Sequence, residues 1–283
     1  MDALRVKAIA RAAGASAAGI ARAADLEEFR RFSEAVIMVP SGLGYLNRDP
    51  FKRKNIKKWY AEARSVLVCA FRYWTPDRDY GAELAKAGAP AAYLAGSGRW
   101  ANQRELVAAP GAKISRYVLG RDYHLTVKEK MAAMLEEIRK ESPAADGKIF
   151  CDTSPVMEKE LGRLAGIGFR GKNTLLLSRE LGSYFFIGGM ALNFELKPDT
   201  PSEDSCERCD QCVKACPTGA LKNGKLDPSL CISYWTTQAK LPIPAGIAEK
   251  AKGFAYGCDL CQEACPQNKA PGQTAPGFEP IKK

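Results

Sequence analysis

The sequence predicts an α+β fold in two parts: a mixed domain over residues 1–199 and a small cysteine-rich module over about 200–270, followed by a loose tail at 271–283. Three observations predict it. Ser65-Val66-Leu67-Val68-Cys69-Ala70-Phe71 is a continuous β-branched apolar run of strand length, as a buried strand requires. Leu125, Met131, Met134, Leu135 and Ile138 fall on one face of a helix running to about Lys140. Finally, eight of the ten cysteines lie beyond the linker Lys197-Pro198-Asp199-Thr200-Pro201.

Taken in order, Leu4, Ala8, Ile9 and Ala12 make a first helical stripe that stops at Gly14, and Ala17–Ala21 reads as a short strand. The alanine-rich start with Arg5, Lys7, Arg11 and Arg22 also has the composition of a transit peptide; the helical stripe favours a folded element. Leu26–Phe32 is polar and helical, Val36–Val39 is apolar and closed by Pro40, and Ser41–Gly44 is a loop. Phe51 to Tyr60 carries five positive charges flanked by aromatics, which reads either as a solvated helix face or as a nucleic-acid contact. Asp77–Gly111, dense in Gly, Ala and Pro, reads as a long irregular excursion, either a flexible loop or a cover for a cofactor.

Lys148–Cys151 is a short strand, and Asp152-Thr153-Ser154-Pro155 reads as the start of a helix reaching Ala165, with proline in its first turn. A hairpin is expected through Leu175–Leu177 and Tyr184–Ile187. Cys69 is read as core filling. The longest uncharged run, Leu181–Phe194, falls short of the roughly 20 residues of a membrane helix, so no span is expected. No secretory signal is visible, and the expected location is cytoplasmic.

The cysteine-rich part carries the chemistry. Cys206, Cys209, Cys212 and Cys216-Pro217 form the run C-x-x-C-x-x-C-x-x-x-C-P, in which three thiolates grip one iron–sulfur cube and the fourth is carried off towards another. Cys258, Cys261 and Cys265-Pro266 supply a second pair and a returning ligand, and Cys231 completes the count. The spacing gives Cys206, Cys209, Cys212 and Cys265 to one 4Fe–4S cluster, and Cys216, Cys231, Cys258 and Cys261 to the other. The module is therefore ferredoxin-like and built for one-electron traffic. Zinc ribbons have no use for the longer run, and eight cysteines crowded into one segment of a long chain do not resemble a secreted disulfide scaffold.

The formal charge is +10, and two oxidised clusters of about −2 each bring it to roughly +6. A basic surface favours an anionic partner such as RNA. His124, the only histidine, stands at a helix start, where a capping role competes with a functional one. Asp152, by itself, reads as a cap; Glu158 and Lys159 read equally as an exposed helical pair or as groups that hold a substrate or tune a proton.

Several stretches together resemble the epoxyqueuosine reductase family. They are Gly44-Tyr45-Leu46, Gly120-Arg121-Asp122-Tyr123-His124, Asp152 to Lys159, Ala165 to Asn173, Cys216-Pro217-Thr218-Gly219-Ala220, Cys231-Ile232-Ser233-Tyr234 and Tyr256-Gly257-Cys258-Asp259, in the family's order and over most of the chain. The resemblance implies a nitroreductase-like cobalamin-binding domain feeding on a two-cluster module, and reduction of the epoxide of epoxyqueuosine in tRNA to the alkene of queuosine. It implies Asp152 as the general acid, which requires burial to raise its pKa against the helix start that would lower it. Tyr123, His124, Glu158, Lys159, Lys172 and Asn173 are the implied cofactor-side residues. No protein histidine is implied as a lower ligand of cobalt, and the D-x-H-x-x-G signature of histidine-ligated cobalamin proteins fails here, where Leu125-Thr126-Val127 follow His124.

The chain ends about eighteen residues after Cys265, which reads as a short member lacking the family's helical-repeat tail and opens the question of how tRNA would be held. The expected partners are tRNA and an external low-potential electron donor, with no membrane and a monomeric state. Two other readings stand beside this one: a corrinoid reductase of a small organic substrate, and an electron carrier with no substrate of its own.

Overall fold

The computed structural model describes residues 1–36, 41–76, 112–268 and 272–280. The excursion expected over 77–111 lies outside the described residues, as do positions 37–40. Numbered along the chain, the strands of the larger domain are Ala17–Arg22 (β1), Ser65–Arg72 (β2), Lys113–Ile114 (β3), Gly147–Phe150 (β4), Phe169–Arg170 (β5), Leu176–Leu177 (β6) and Phe185–Leu192 (β7). β1, β2, β7 and β4 lie side by side in that order, each pair antiparallel.

All eight residues of β2 are buried, because helices cover both faces of the sheet. The run therefore reads apolar throughout instead of alternating. Leu67, Cys69 and Phe71 enter a layer with the helices Ala3–Ala12 and Tyr123–Glu141; Val66, Val68 and Ala70 enter the opposite layer with Ile56 and the helix Glu158–Leu164. Full burial of anchors such as Ile138 and Leu161 contributes about 1.5–3 kcal/mol each. A Cβ on Gly19 would lie 1.9 Å from the Ala165 carbonyl oxygen, so only glycine lets the helix Glu158–Leu164 rest this closely on β1.

Three expectations change. The helix expected from Pro155 begins at Glu158, after Met157 as N-cap. Residues before it are taken up by tight turns, with Thr153 N donating to Cys151 O at 2.6 Å and Val156 N to Ser154 O at 2.8 Å, and by Asp152 at φ 54°, outside the helical region. The expected hairpin is also re-partnered: Leu176–Leu177 pairs with Phe169–Arg170, which frees Phe185–Leu192 to run as a central strand between β2 and β4. Lastly, residues 272–280 are no loose tail. Ala275 N donates to Arg72 O at 2.8 Å, and Phe278 is buried with its ring centroid 5.3 Å from that of Phe71. One buried aromatic anchors a proline-rich segment whose composition suggested the opposite.

The cysteine-rich module contains the short helices Gln211–Ala215, Ile232–Thr237, Ala245–Ala248 and Leu260–Glu263, the hairpin Leu221–Lys222 (β8) and Lys225–Leu226 (β9), and the strand Phe254–Tyr256 (β10). It is sewn to the larger domain. β10 pairs in parallel with β3, and just beyond it the buried Asp259 accepts hydrogen bonds from Ser115 Oγ, from Arg116 N at 2.9 Å and from Arg116 Nη1 at 3.2 Å. Arg116 Nη1 also reaches Glu263 at 2.9 Å and its Nε reaches Thr75 O at 3.0 Å, so the ion pair is satisfied on every side that burial would otherwise penalise. The linker is fixed too, since Asp199 takes Lys7 Nζ at 2.6 Å and Ile20 N at 2.8 Å.

Candidate active site

A chain of three polar side chains forms where the N-terminus of the helix Tyr123–Glu141 meets the loop that leaves β4. Asp122 is the N-cap, accepting His124 N at 2.8 Å, and the same oxygen lies 2.9 Å from His124 Nδ1. The other ring nitrogen, Nε2, lies 3.2 Å from Asp152 Oδ2. The imidazole is pinned from one side by Tyr123, whose ring stacks on it at 4.0 Å and on Phe186 at 4.3 Å. A carboxylate stands at each ring nitrogen of His124. Burial alone would lower its pKa, but the hydrogen bonds to Asp152 and Asp122, with their charges, outweigh it and raise the group above its ordinary value.

Asp152 behaves in the opposite sense. Burial pulls its pKa up, yet the hydrogen bond and charge of His124, a hydrogen bond from Tyr123 and the charge of Lys159 together leave it below the usual carboxylate range. The expectation that burial prevails at Asp152 is therefore corrected: its hydrogen bonds and neighbouring cations outweigh burial. The helix start plays no part, because the helix begins six residues later.

The raised carboxyl is Glu158. Burial, and then the charge of Asp152, push it up to about 8. It accepts the backbone N–H of Asp152. Lys159 is pushed down, first by burial and then by Arg170, and its Nζ donates to Thr174 O at 3.1 Å. Sequence reasoning missed two members of this group. Tyr45 sits close enough for the Asp152 charge to raise its hydroxyl after burial has done so, and Arg53 faces Tyr45 and Glu158 with its Nε buried and unpaired among the described residues. Both lay in stretches already singled out; nothing local in the basic run distinguishes Arg53 from the surface lysines on either side.

The Asp152 side chain keeps 61% of its surface accessible although protein crowds round it on most sides. The carboxylate is therefore open to solvent at the edge of this group. Lys172 and Asn173 are placed differently. Lys172 N donates to Cys206 Sγ at 3.4 Å and its Nζ to Glu207 O at 2.9 Å, which puts it against the cysteine module. Asn173 is buried, accepts Leu175 N at 3.2 Å through Oδ1, and leaves Nδ2 without a partner among the described residues.

The eight module cysteines fall into two neighbourhoods. The thiol of Cys212 is raised by burial and then by Cys206, Cys265 and Cys209, and that of Cys265 by burial and then by Cys206 and Cys209. Cys258, pushed up to about 12, feels burial and then Cys231 and Cys216; Cys261 feels burial and then Cys258 and Cys231. Cys212 also acts on Cys261, so the neighbourhoods adjoin, and Cys261 acts on Lys159, which brings the second one beside the Asp152 group. Crowded thiols of this kind call for cationic iron to accept their charge as thiolates. Among the described residues no three His, Cys, Asp or Glu side chains converge on a single ion. Cys69 and Cys151 stand apart in the core, where burial raises both thiols.

Residues 205–268 match the family model described as a 4Fe-4S double cluster binding domain, and residues 53–153 match the one described as Epoxyqueuosine reductase QueG, DUF1730. The epoxyqueuosine reductase of Gloeobacter violaceus is 34% identical over 271 residues, covering 94% of this chain and 76% of that protein. The chain belongs to the epoxyqueuosine reductase family. Solved family structures agree with it: an epoxyqueuosine reductase with an epoxyqueuosine-modified tRNA stem loop superposes with a TM-score of 0.76 at 28% identity, over 98% of this chain and 68% of that one. The Bacillus subtilis enzyme, captured with its catalytic loop swung out of the active site, superposes with a TM-score of 0.79 at 26% identity, over 98% of this chain and 68% of that one. The curated relatives at 43% and 41% identity are matched over about half their length, 52% and 51%.

Members of this family use cobalamin and two 4Fe–4S clusters. The residues present fit both. The orphaned donors Arg53 Nε and Asn173 Nδ2 are buried N–H groups that fit acceptors such as the peripheral amides of a corrin, and the Asp152 carboxylate is open to solvent. Among the described residues no helix is long and apolar enough to cross a membrane.

Proposed function

We propose that this protein reduces an epoxide to an alkene, with epoxyqueuosine in tRNA as the substrate, using cobalamin fed by two 4Fe–4S clusters. The observation that carries the reading is the chain Asp122–His124–Asp152, closed by Glu158 and standing beside Cys261 of the cluster module. The ligand sets are Cys206, Cys209, Cys212 and Cys265 for one cluster and Cys216, Cys231, Cys258 and Cys261 for the other, with Tyr123, His124, Glu158, Lys159, Lys172, Asn173, Tyr45 and Arg53 around the corrin. The tRNA stem loop bound to a relative supports the choice of substrate, and the swung-out catalytic loop of another supports placing Asp152 on the corresponding loop. An external low-potential electron donor, a monomeric state and a cytoplasmic location belong to the same reading.

The reaction takes two electrons and two protons, converts the epoxide to the alkene and releases its oxygen as water. Bound cobalamin supplies a reduced cobalt able to attack carbon or to donate single electrons. The site must deliver one of the two protons, and solvent supplies the other. His124, an imidazolium between two carboxylates, stores one; Asp122 fixes the ring, and Asp152 is the group that meets the leaving oxygen. Loss of water from the accessible Asp152 carboxylate moves the shared proton from His124 towards it, because desolvation disfavours the charged oxygen. Cys261 sits close enough to influence Lys159, so electrons enter near the place where protons leave.

The test is turnover of an anticodon stem-loop carrying epoxyqueuosine by reconstituted protein under reducing conditions. Formation of the queuosine alkene, with binding that weakens as salt rises, supports the reading. Reduction of small organic epoxides or halides without any affinity for the stem-loop moves the substrate to a small molecule. Electron transfer without either reaction leaves a carrier.

A further inference from the structure

Asp152 is not a glycine, yet its backbone occupies the left-handed region at φ 54°. Asp enters this region more readily than most residues with a side chain, but a fixed φ there still reflects what holds it. The side chain is held by His124 at 3.2 Å and by Tyr123, and the backbone N–H donates to Glu158. Glu158 is well anchored for that task. It opens a helix whose Leu161 is buried and whose C-cap, Ala165, lies against Gly19 of β1, so its carboxyl is referred to the sheet and not to the loop it holds.

Keeping a carboxyl in this place is costly. Burial and the neighbouring Asp152 charge both oppose its ionisation, and of the cations beside it Lys159 donates elsewhere, to Thr174 O, while Arg53 acts only at a distance. A group that serves only to fill space would not need an oxygen there. We propose that Glu158 is a positioning residue: by holding the Asp152 amide it sets the left-handed turn that aims the Asp152 carboxylate at His124. This rests on the reading of Asp152 and His124 as the proton-delivering pair, but its test needs neither cobalamin nor tRNA.

His124 is the only histidine in the chain, so its ring gives one reporter signal in cluster-loaded, ring-labelled protein followed by NMR across pH. The charged groups facing it are Asp122 from its own helix and Asp152 from the loop; those facing Glu158 are Asp152, Lys159 and Arg53. Asp152→Asn removes a carboxylate from His124 and lowers its titration point. Glu158→Ala, which deletes the amide's acceptor, is expected to produce the same downward shift, and the double variant to add nothing further. Glu158→Gln keeps an acceptor oxygen and is expected to titrate as the parent does. Glu158→Met, close in volume but unable to accept, replaces the alanine variant if that one does not fold, and is expected to match it. Cluster absorbance confirms loading in each case. Parent-like titration in Glu158→Ala or Glu158→Met, beside a shifted Asp152→Asn, overturns the proposal. So does an equal shift in Glu158→Gln, which traces the effect to lost charge. Loss of reductase activity under any of these outcomes bears on the proposed function alone.

Discussion

The cysteine module and the Asp152 site lie side by side and are built in opposite ways. Seven of the eight module cysteines stand in two runs of eleven and eight residues, Cys206–Cys216 and Cys258–Cys265, so covalent spacing alone brings most of the thiols together. The Asp152 site draws Tyr45, Arg53, Asp122, His124, Asp152 and Glu158 from four separate stretches and depends on the sheet to assemble them. A metal site can be written into a short segment. A proton-handling site with shifted groups needs burial, and burial is a property of the whole fold.

The comparison predicts separable failures. Cys258→Ser, in the second cysteine neighbourhood, should remove one cube and leave the other, halving iron from about eight to about four per chain with cobalamin still able to bind. Iron analysis with electron paramagnetic resonance of the reduced protein checks it; loss of both cubes would mean that the neighbourhoods do not load independently. Asp152→Asn should have the reverse effect. Both clusters remain, and turnover falls about 10²–10⁴-fold, as loss of a positioned proton donor requires. Undiminished turnover would remove Asp152 from the proton path.

Gly19→Ala tests whether the sheet carries the Asp152 site. Its Cβ meets the Ala165 backbone at 1.9 Å, and displacing the helix Glu158–Leu164 should cost about 1–3 kcal/mol, read as a lower melting temperature with iron content unchanged. The remaining effect is a pH dependence. The folded protein keeps the Glu158 proton up to about 8, while the unfolded chain releases it at the ordinary carboxyl value, so stability falls as pH rises between the two. His124, also raised, contributes stability that is lost in the same direction as pH climbs through its folded value. Melting temperature should therefore decline less steeply from pH 5 to about 8 in Glu158→Gln than in the parent; parallel slopes would show that Glu158 titrates normally.

What was legible in the sequence follows the same division. The buried strand Ser65–Phe71, the long helix after Asp122 and the double-cluster character of the cysteine runs rest on local pattern, and they need only nearby residues to be read. Asp152 was read as the cap of a helix that in fact starts at Glu158, because a proline two residues before the true N-cap gives the same pattern as one inside the first turn. Arg53 escaped notice because Lys52 and Lys54 beside it do what the basic run suggests, pairing with Asp49 and Asp25 at the surface, while the guanidinium between them turns inward. Phe278 was hidden by the prolines around it. Each of these depends on which side of a residue the rest of the chain occupies, and no local spacing encodes that.

The central claim is that the larger domain houses a corrin beside the clusters of the module. Anaerobic reconstitution with iron, sulfide and cobalamin, followed by desalting, iron analysis and a visible spectrum, tests it most directly. The account predicts about eight irons per chain and a retained cobalamin spectrum in the same molecules. A full complement of iron in protein that releases all its cobalamin would contradict it.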